Sequence, residues 1–230
     1  MGSRALEATD AVATPPDEGE CSMRISAKPL RTYPWYLRPF FWSQRRNYGE
    51  VLVPGLLWGR VPRVFMAVAI LDGVLDRWRS RIDPVLRSLV TVRVSQLNWC
   101  RFCVDINSAT LARRTGSMDK VQALEGWRDS DLFDARERAV LDYAEAMTCS
   151  DLQVTDAMVE RLREYFDEDA VVELTGLIAF QNMSSKFNSA LDVPAQGFCT
   201  LPGKRGDAAT KTVQPVGASG RGPVSGRKEE

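Results

Sequence analysis

Histidine is absent from all 230 residues. That removes the side chain that most often acts as a general base near neutral pH and as a metal ligand. A serine or cysteine protease constellation would lack its base. A structural zinc site would have to be built from cysteine. Cysteine is itself sparse: Cys21, Cys100, Cys103, Cys149 and Cys199. The odd count and irregular spacing argue against a disulfide framework. Only one pair is close in sequence, so zinc would need Cys149 and Cys199 to converge on it. Net charge is lacking too, because 30 Lys and Arg balance 30 Asp and Glu. Such a balance gives no general pull toward nucleic acid or an anionic membrane surface, and neither is expected as a partner. Long apolar runs are missing. The best, Val64 to Leu71, is cut by Asp72 and Asp76, far short of a membrane span. There is no Gly-rich phosphate loop. The first thirty residues hold no apolar signal segment, and MGSRAL misses the myristoylation pattern, so the expected location is the cytoplasm.

What is present is ordinary globular material, 44% hydrophobic and 26% charged, in an amount that fills one sizeable core. Residues 1–28 bear prolines and acids without periodicity. Residues 203–230 are rich in Gly, Ser and basic residues. Neither buries enough apolar surface to offset its ordering entropy, so both are expected to be mobile extensions of a single helical domain over 29–202. Between them the pattern is helical almost throughout. A broad apolar face runs over 61–78. Asp83-Pro84 reads as a cap followed by a first helical residue. A helix from Cys100 or Arg101 stops at Gly116, and Ser117 caps a short one through Leu124. Asp134 leads another to Met147, Thr155 the next to Phe166, and 167–170 open a long last helix ending near Leu191. Val90 to Val94 is valine-rich but lies inside a 3.6-residue period. The expected class is all-α. Aromatic residues crowd 33–58, interleaved with Arg31, Arg38, Arg45 and Arg46. They read as an N-terminal arm packed on the bundle or on a neighbouring subunit rather than as a nucleic-acid surface.

The chemistry-bearing stretch is NWCRFCVDINSA, residues 98–109. Cys100 and Cys103 stand three apart at a helix start, on one face of its first turn. Unpaired backbone N–H groups and the helix dipole there favour a thiolate. Arg101 adds a positive charge and Asp105 opposes it. Two such thiols can cycle between dithiol and disulfide, one attacking an oxidant and the other resolving the sulfenic acid.

The surrounding RVSQLNWCRFCVDINSATLARRTG resembles the signature helix pair of the carboxymuconolactone decarboxylase family, in its alkyl hydroperoxidase D-like branch. Residues 171–199, VVELTGLIAFQNMSSKFNSALDVPAQGFC, resemble that family's closing helix. The likeness covers roughly residues 50 to 200. It implies an all-α helical bundle that assembles as a homo-oligomer, commonly a trimer or hexamer. It also implies reduction of a hydroperoxide or disulfide, with Cys103 matching the attacking cysteine and Cys100 the resolving one. An external dithiol, thioredoxin-like or lipoyl-like, would restore the thiols, with no metal or bound organic cofactor. The family's histidine falls at Asn107 and its glutamate at Ser88. Both proton-handling groups are thus neutral here. Asn107, one helical turn beyond Cys103, can donate a hydrogen bond or hold a water but cannot titrate. Loss of a general acid/base costs about two to four orders of magnitude in rate.

Three readings of this altered relay are open on the sequence. The thiols turn over with support from the helix N-terminus and Arg101. Another group replaces the relay, Asp105 being nearest, although a structural role suits that carboxylate better. Or the chain binds a partner without redox turnover. Cys199 is a further candidate to approach the pair. A lactone decarboxylase activity of the wider family is the competing enzyme class, and its members lack the Cys-x-x-Cys pair.

Overall fold

The computed structural model describes residues 23–77 and 80–199. Nine α-helices and three short 3-10 turns make up its regular structure, with no strand among the described residues. Those residues form the all-α bundle that the periodicity predicts. The mobile ends expected from composition fall largely on 1–22 and 200–230, outside the described residues, as does Cys21.

Helix α4 (Pro84–Leu97) is the axis of the fold. Asp83 caps it, its Oδ1 accepting from the backbone of Val85 at 2.9 Å and Leu86 at 3.2 Å. Leu86, Leu89, Val90, Val92 and Val94 are all buried. Valine favours strands in isolation, but burial on every side of α4 outweighs that small preference. Around α4 pack α5 (Arg101–Thr115), α7 (Ala135–Ala146) and α9 (Glu168–Ala190). Their shared core runs from Ile82 through Leu111, Leu141 and Leu174 to Ile178. Gly116, with φ +73°, ends α5 in the left-handed conformation that glycine adopts without steric cost. Asp134 and Glu137 form a reciprocal capping box on α7. The short α6 (Asp119–Ala123) begins one residue later than the Ser117 cap implies, though Ser117 Oγ does accept from Asp119 N at 2.9 Å. Helix α8 (Asp156–Arg163) precedes α9 and ends three residues short of Phe166.

The aromatic front is more ordered than an arm. It folds into α1 (Arg38–Tyr48) and α2 (Val53–Gly59), which lead into α3 (Pro62–Arg77). Tyr33, Leu37 and Phe41 form a separate small core with Phe65 of α3. Gly59 makes this possible, because a Cβ there would stand 3.2 Å from the Tyr33 ring. Trp58 stacks on Phe187 of α9, with ring centroids 3.6 Å apart. Residues 24–28, which the composition places in the leading extension, bond to the bundle. Arg24 donates to Ala190 O at 2.7 Å, and Arg60 donates to Ser26 O at 2.9 Å.

A buried ion pair ties the axis to α7. Arg93 of α4 donates to Glu145 at 2.6 Å, and Trp127 donates to the same oxygen at 2.8 Å. Arg128 closes on the second oxygen. Burial pushes the Glu145 carboxyl up, but the bonds from Trp127 and Arg128 and the charge of Arg93 outweigh it. The net shift is below the usual glutamate range.

Candidate active site

The α4–α5 connection sets the cysteines. Asn98 ends α4, and Trp99 takes a left-handed φ of +54°, a costly conformation for a bulky residue. The turn is held on both sides. Cys100 N donates to Ser95 O at 3.1 Å, and Asn98 Nδ2 donates to Asn182 Oδ1 and Ser185 Oγ of α9, each at 2.9 Å. Cys100 thereby becomes the cap of α5, its Sγ accepting from Cys103 N at 3.1 Å. The two cysteines are joined as a disulfide, with Cα atoms 5.2 Å apart. Both are buried, in a cluster with Leu57, Phe102 and Val193.

Cys103 also lines a cavity of about 260 Å³ between α1, α2, α3, α4, α5 and α9. Its walls are mixed. Phe40, Tyr48, Trp58 and Phe180 supply aromatic surface, while Gln44, Asn107, Gln181 and Asn188 supply neutral amides. Ser88, Thr91, Arg87 and Arg114 also reach it. Cys100 is absent from the lining, so a molecule in the cavity meets Cys103 first.

The other residues singled out by sequence divide between the cavity and its outside. Asn107 is in the cavity, but its Nδ2 is directed to Ser95 Oγ at 3.2 Å and Thr91 O at 3.5 Å. Gln181 donates to the same Ser95 Oγ at 3.0 Å. Ser88 is in the cavity too, its Oγ accepting from Arg114 at 2.7 Å. Arg101 lies outside, exposed and paired with Asp192 at 2.7 Å. Asp105 is buried away from the cavity. It accepts from the backbone of Gln196 at 2.9 Å, Phe198 at 3.1 Å and Cys199 at 2.7 Å. It anchors the segment after α9 rather than the sulfurs. Cys199 is a free thiol whose pKa burial and then the Asp105 carboxylate raise. Cys149 is likewise free and pushed up, by burial first and then Glu145 and Asp151.

Sequence reasoning missed Asn188. It is 1% exposed, and its Nδ2 donates to Cys103 Sγ at 3.2 Å. A signal was available. Gln181, Ser184, Ser185 and Asn188 stand at helical spacing along one side of α9, a polar stripe that a buried site or a solvent face requires.

Residues 62–146 match the model of the carboxymuconolactone decarboxylase family. The chain is also 51% identical to protein YnjA of Escherichia coli K12 over 177 residues, spanning 77% of this chain and 97% of YnjA. The chain belongs to the carboxymuconolactone decarboxylase family. Its bundle matches the alkylhydroperoxidase AhpD core of a peroxidase-related protein from Ralstonia eutropha JMP134, with a TM-score of 0.69 and 23% identity over 76% of this chain and 94% of the other. A peroxidase-related protein from Silicibacter sp. TM1040 matches with a TM-score of 0.67 and 22% identity, over 77% and 92%. These likenesses establish an alkyl hydroperoxidase D-like fold for this family member. No helix among its described residues is long and apolar enough to cross a membrane.

Proposed function

We propose that the chain is a thiol oxidoreductase that reduces a hydroperoxide through a Cys100/Cys103 dithiol–disulfide cycle. The observation that carries this reading is the bonded sulfur pair at the head of α5, with Cys103 alone of the two on a cavity. The Cys103 thiolate attacks the terminal oxygen of R–O–O–H. An S–O bond forms, the O–O bond breaks, and RO⁻ leaves and takes a proton from water. Cys103 is then a sulfenic acid. The Cys100 thiol attacks that sulfur, the disulfide closes and water departs. The sum is dithiol plus ROOH giving disulfide, ROH and H₂O. A thioredoxin-like or lipoyl-like dithiol returns the pair to thiols. The wider family's oligomeric habit extends the proposal to a homo-oligomer in the cytoplasm.

The test is a count of free thiols on the reduced protein before and after one equivalent of hydroperoxide. Two thiols are expected to disappear together in the wild type. In Cys100→Ser one is expected to disappear, with a sulfenic acid trapped at Cys103. Thiols that survive the oxidant in both proteins would remove the redox reading in favour of a non-catalytic binding role.

A second experiment addresses the neutral relay. Asn107 and Ser88 both reach the cavity, so Asn107→His with Ser88→Glu places an imidazole and a carboxyl there. Peroxide turnover is expected to rise by about tenfold or more, within the range that general acid/base catalysis supplies. An unchanged rate would mean that proton transfer is already handled by other groups.

A further inference from the structure

The cavity contains a side chain whose state the packing does not explain. Asn188 is 1% exposed, and its Oδ1 is buried with no hydrogen-bond partner among the described residues. An unpaired buried acceptor costs stability, and native proteins seldom keep one without a use. The other end of the same amide is engaged, Nδ2 donating to Cys103 Sγ at 3.2 Å. The residue lines the cavity together with Cys103. A thioether-like disulfide sulfur is a weak acceptor, whereas a thiolate is a strong one. The donor therefore gains most when Cys103 is reduced and ionised.

Resting on the hydroperoxide reading, we propose that Asn188 is a catalytic amide of this site. Its Nδ2 holds the Cys103 thiolate, and its Oδ1 accepts the O–H of the hydroperoxide whose terminal oxygen that thiolate attacks. One amide thus presents a donor to the nucleophile and an acceptor to the substrate. The ligand that completes the site is a small molecule with a hydrogen-bond donor beside the reacting atom. The titratable or charged side chains on the same cavity are Tyr48 of α1, Asp72 of α3, Arg87 of α4 and Arg114 of α5; α2 and α9 contribute none. Arg114 bonds to Ser88 Oγ and Pro84 O, and Arg87 to Leu75 O. Asn107, the residue at the family histidine's position, directs its amide to Ser95 and Thr91. Among the described residues, the side-chain donor on Cys103 Sγ is that of Asn188.

The test uses Asn188→Leu, which keeps the heavy-atom count and branching but has neither polar atom, in the full-length reduced protein. Alkylation of Cys103 is followed against pH by mass spectrometry of its peptide, with iodomethane, a small reagent that has no hydrogen-bond donor and leaves a thioether that Cys100 does not resolve. The Cys103 pKa is expected to rise by about one unit or more, since bonds to charged groups are the strong ones. Above both pKa values the variant should match the wild type toward this reagent. Toward a hydroperoxide it should remain about tenfold slower, because the acceptor is gone. Tm should hold or rise by about 2–4 °C, since the unpaired Oδ1 is removed. Should Leu fail to fold, the smaller Asn188→Ala, which loses the donor without adding a charge, must raise the same pKa. A wild-type Cys103 pKa in the folded variant overturns donation to the sulfur. Equal hydroperoxide rates at high pH overturn the acceptor role. The pKa is read without peroxide, so a wild type inert to hydroperoxide removes the reaction proposed above without deciding whether Asn188 donates to Cys103.

Discussion

Cys103→Ser is expected to lower hydroperoxide consumption to the uncatalysed background, a loss of about four orders of magnitude or more. A serine hydroxyl is not ionised near neutral pH and does not displace an alkoxide from peroxide oxygen at a useful rate. Cys100→Ser should behave differently. Its Cys103 still meets the cavity, and serine caps a helix well, so α5 should be preserved. One equivalent of peroxide should be consumed in a burst, after which turnover stops for want of a resolving thiol. Stopped-flow measurement with excess hydroperoxide separates the two. A burst in Cys103→Ser, or its absence in Cys100→Ser, would reverse the assignment of attacking and resolving roles.

Glu145→Ala is expected to cost about 3–5 kcal/mol of stability, because removing one member of a buried ion pair leaves the other uncompensated. For a chain of this size, that lowers Tm by about 6–20 °C. Arg93 would be left buried with Gln96 as its remaining hydrogen-bond partner among the described residues, and Trp127 would lose its acceptor. The pH dependence follows from the depressed carboxyl. In the unfolded chain Glu145 takes up its proton near the ordinary value of 4.5; in the fold it does so at lower pH. Its contribution to stability is therefore complete above the unfolded value and fades as pH falls through the folded one. The Tm gap between wild type and Glu145→Gln should narrow as acid is added below about pH 4.5. A gap that is constant between pH 7 and pH 3 would show that the pair does not carry the effect.

Much of the bundle was legible in advance, because caps and periodicity are local. Asp83-Pro84, Gly116, Asp134 and Thr155 each mark a helix end through a bond or a dihedral that a few neighbouring residues determine. In sequence the aromatic front reads as an arm of prolines and aromatics, Pro39 and Pro54 among them. Both prolines instead sit in the first turn of their helices, where the missing N–H costs nothing. Boundaries slipped by one to three residues at α6 and α8, short helices whose ends are governed by packing.

The sequence by itself determined the helices from α3 onward, the three-residue spacing of the two cysteines and the neutral residues at the relay positions. Each depends on neighbours within about one turn. Only the tertiary structure decided what faces the sulfur. Asn188 lies 85 positions from Cys103, and it arrives there because α9 packs across α4 and α5. The same packing bonds Asn107 to Ser95 and fastens Asp105 to the segment after α9. Those pairings are settled by the shape of the core, which no local pattern encodes.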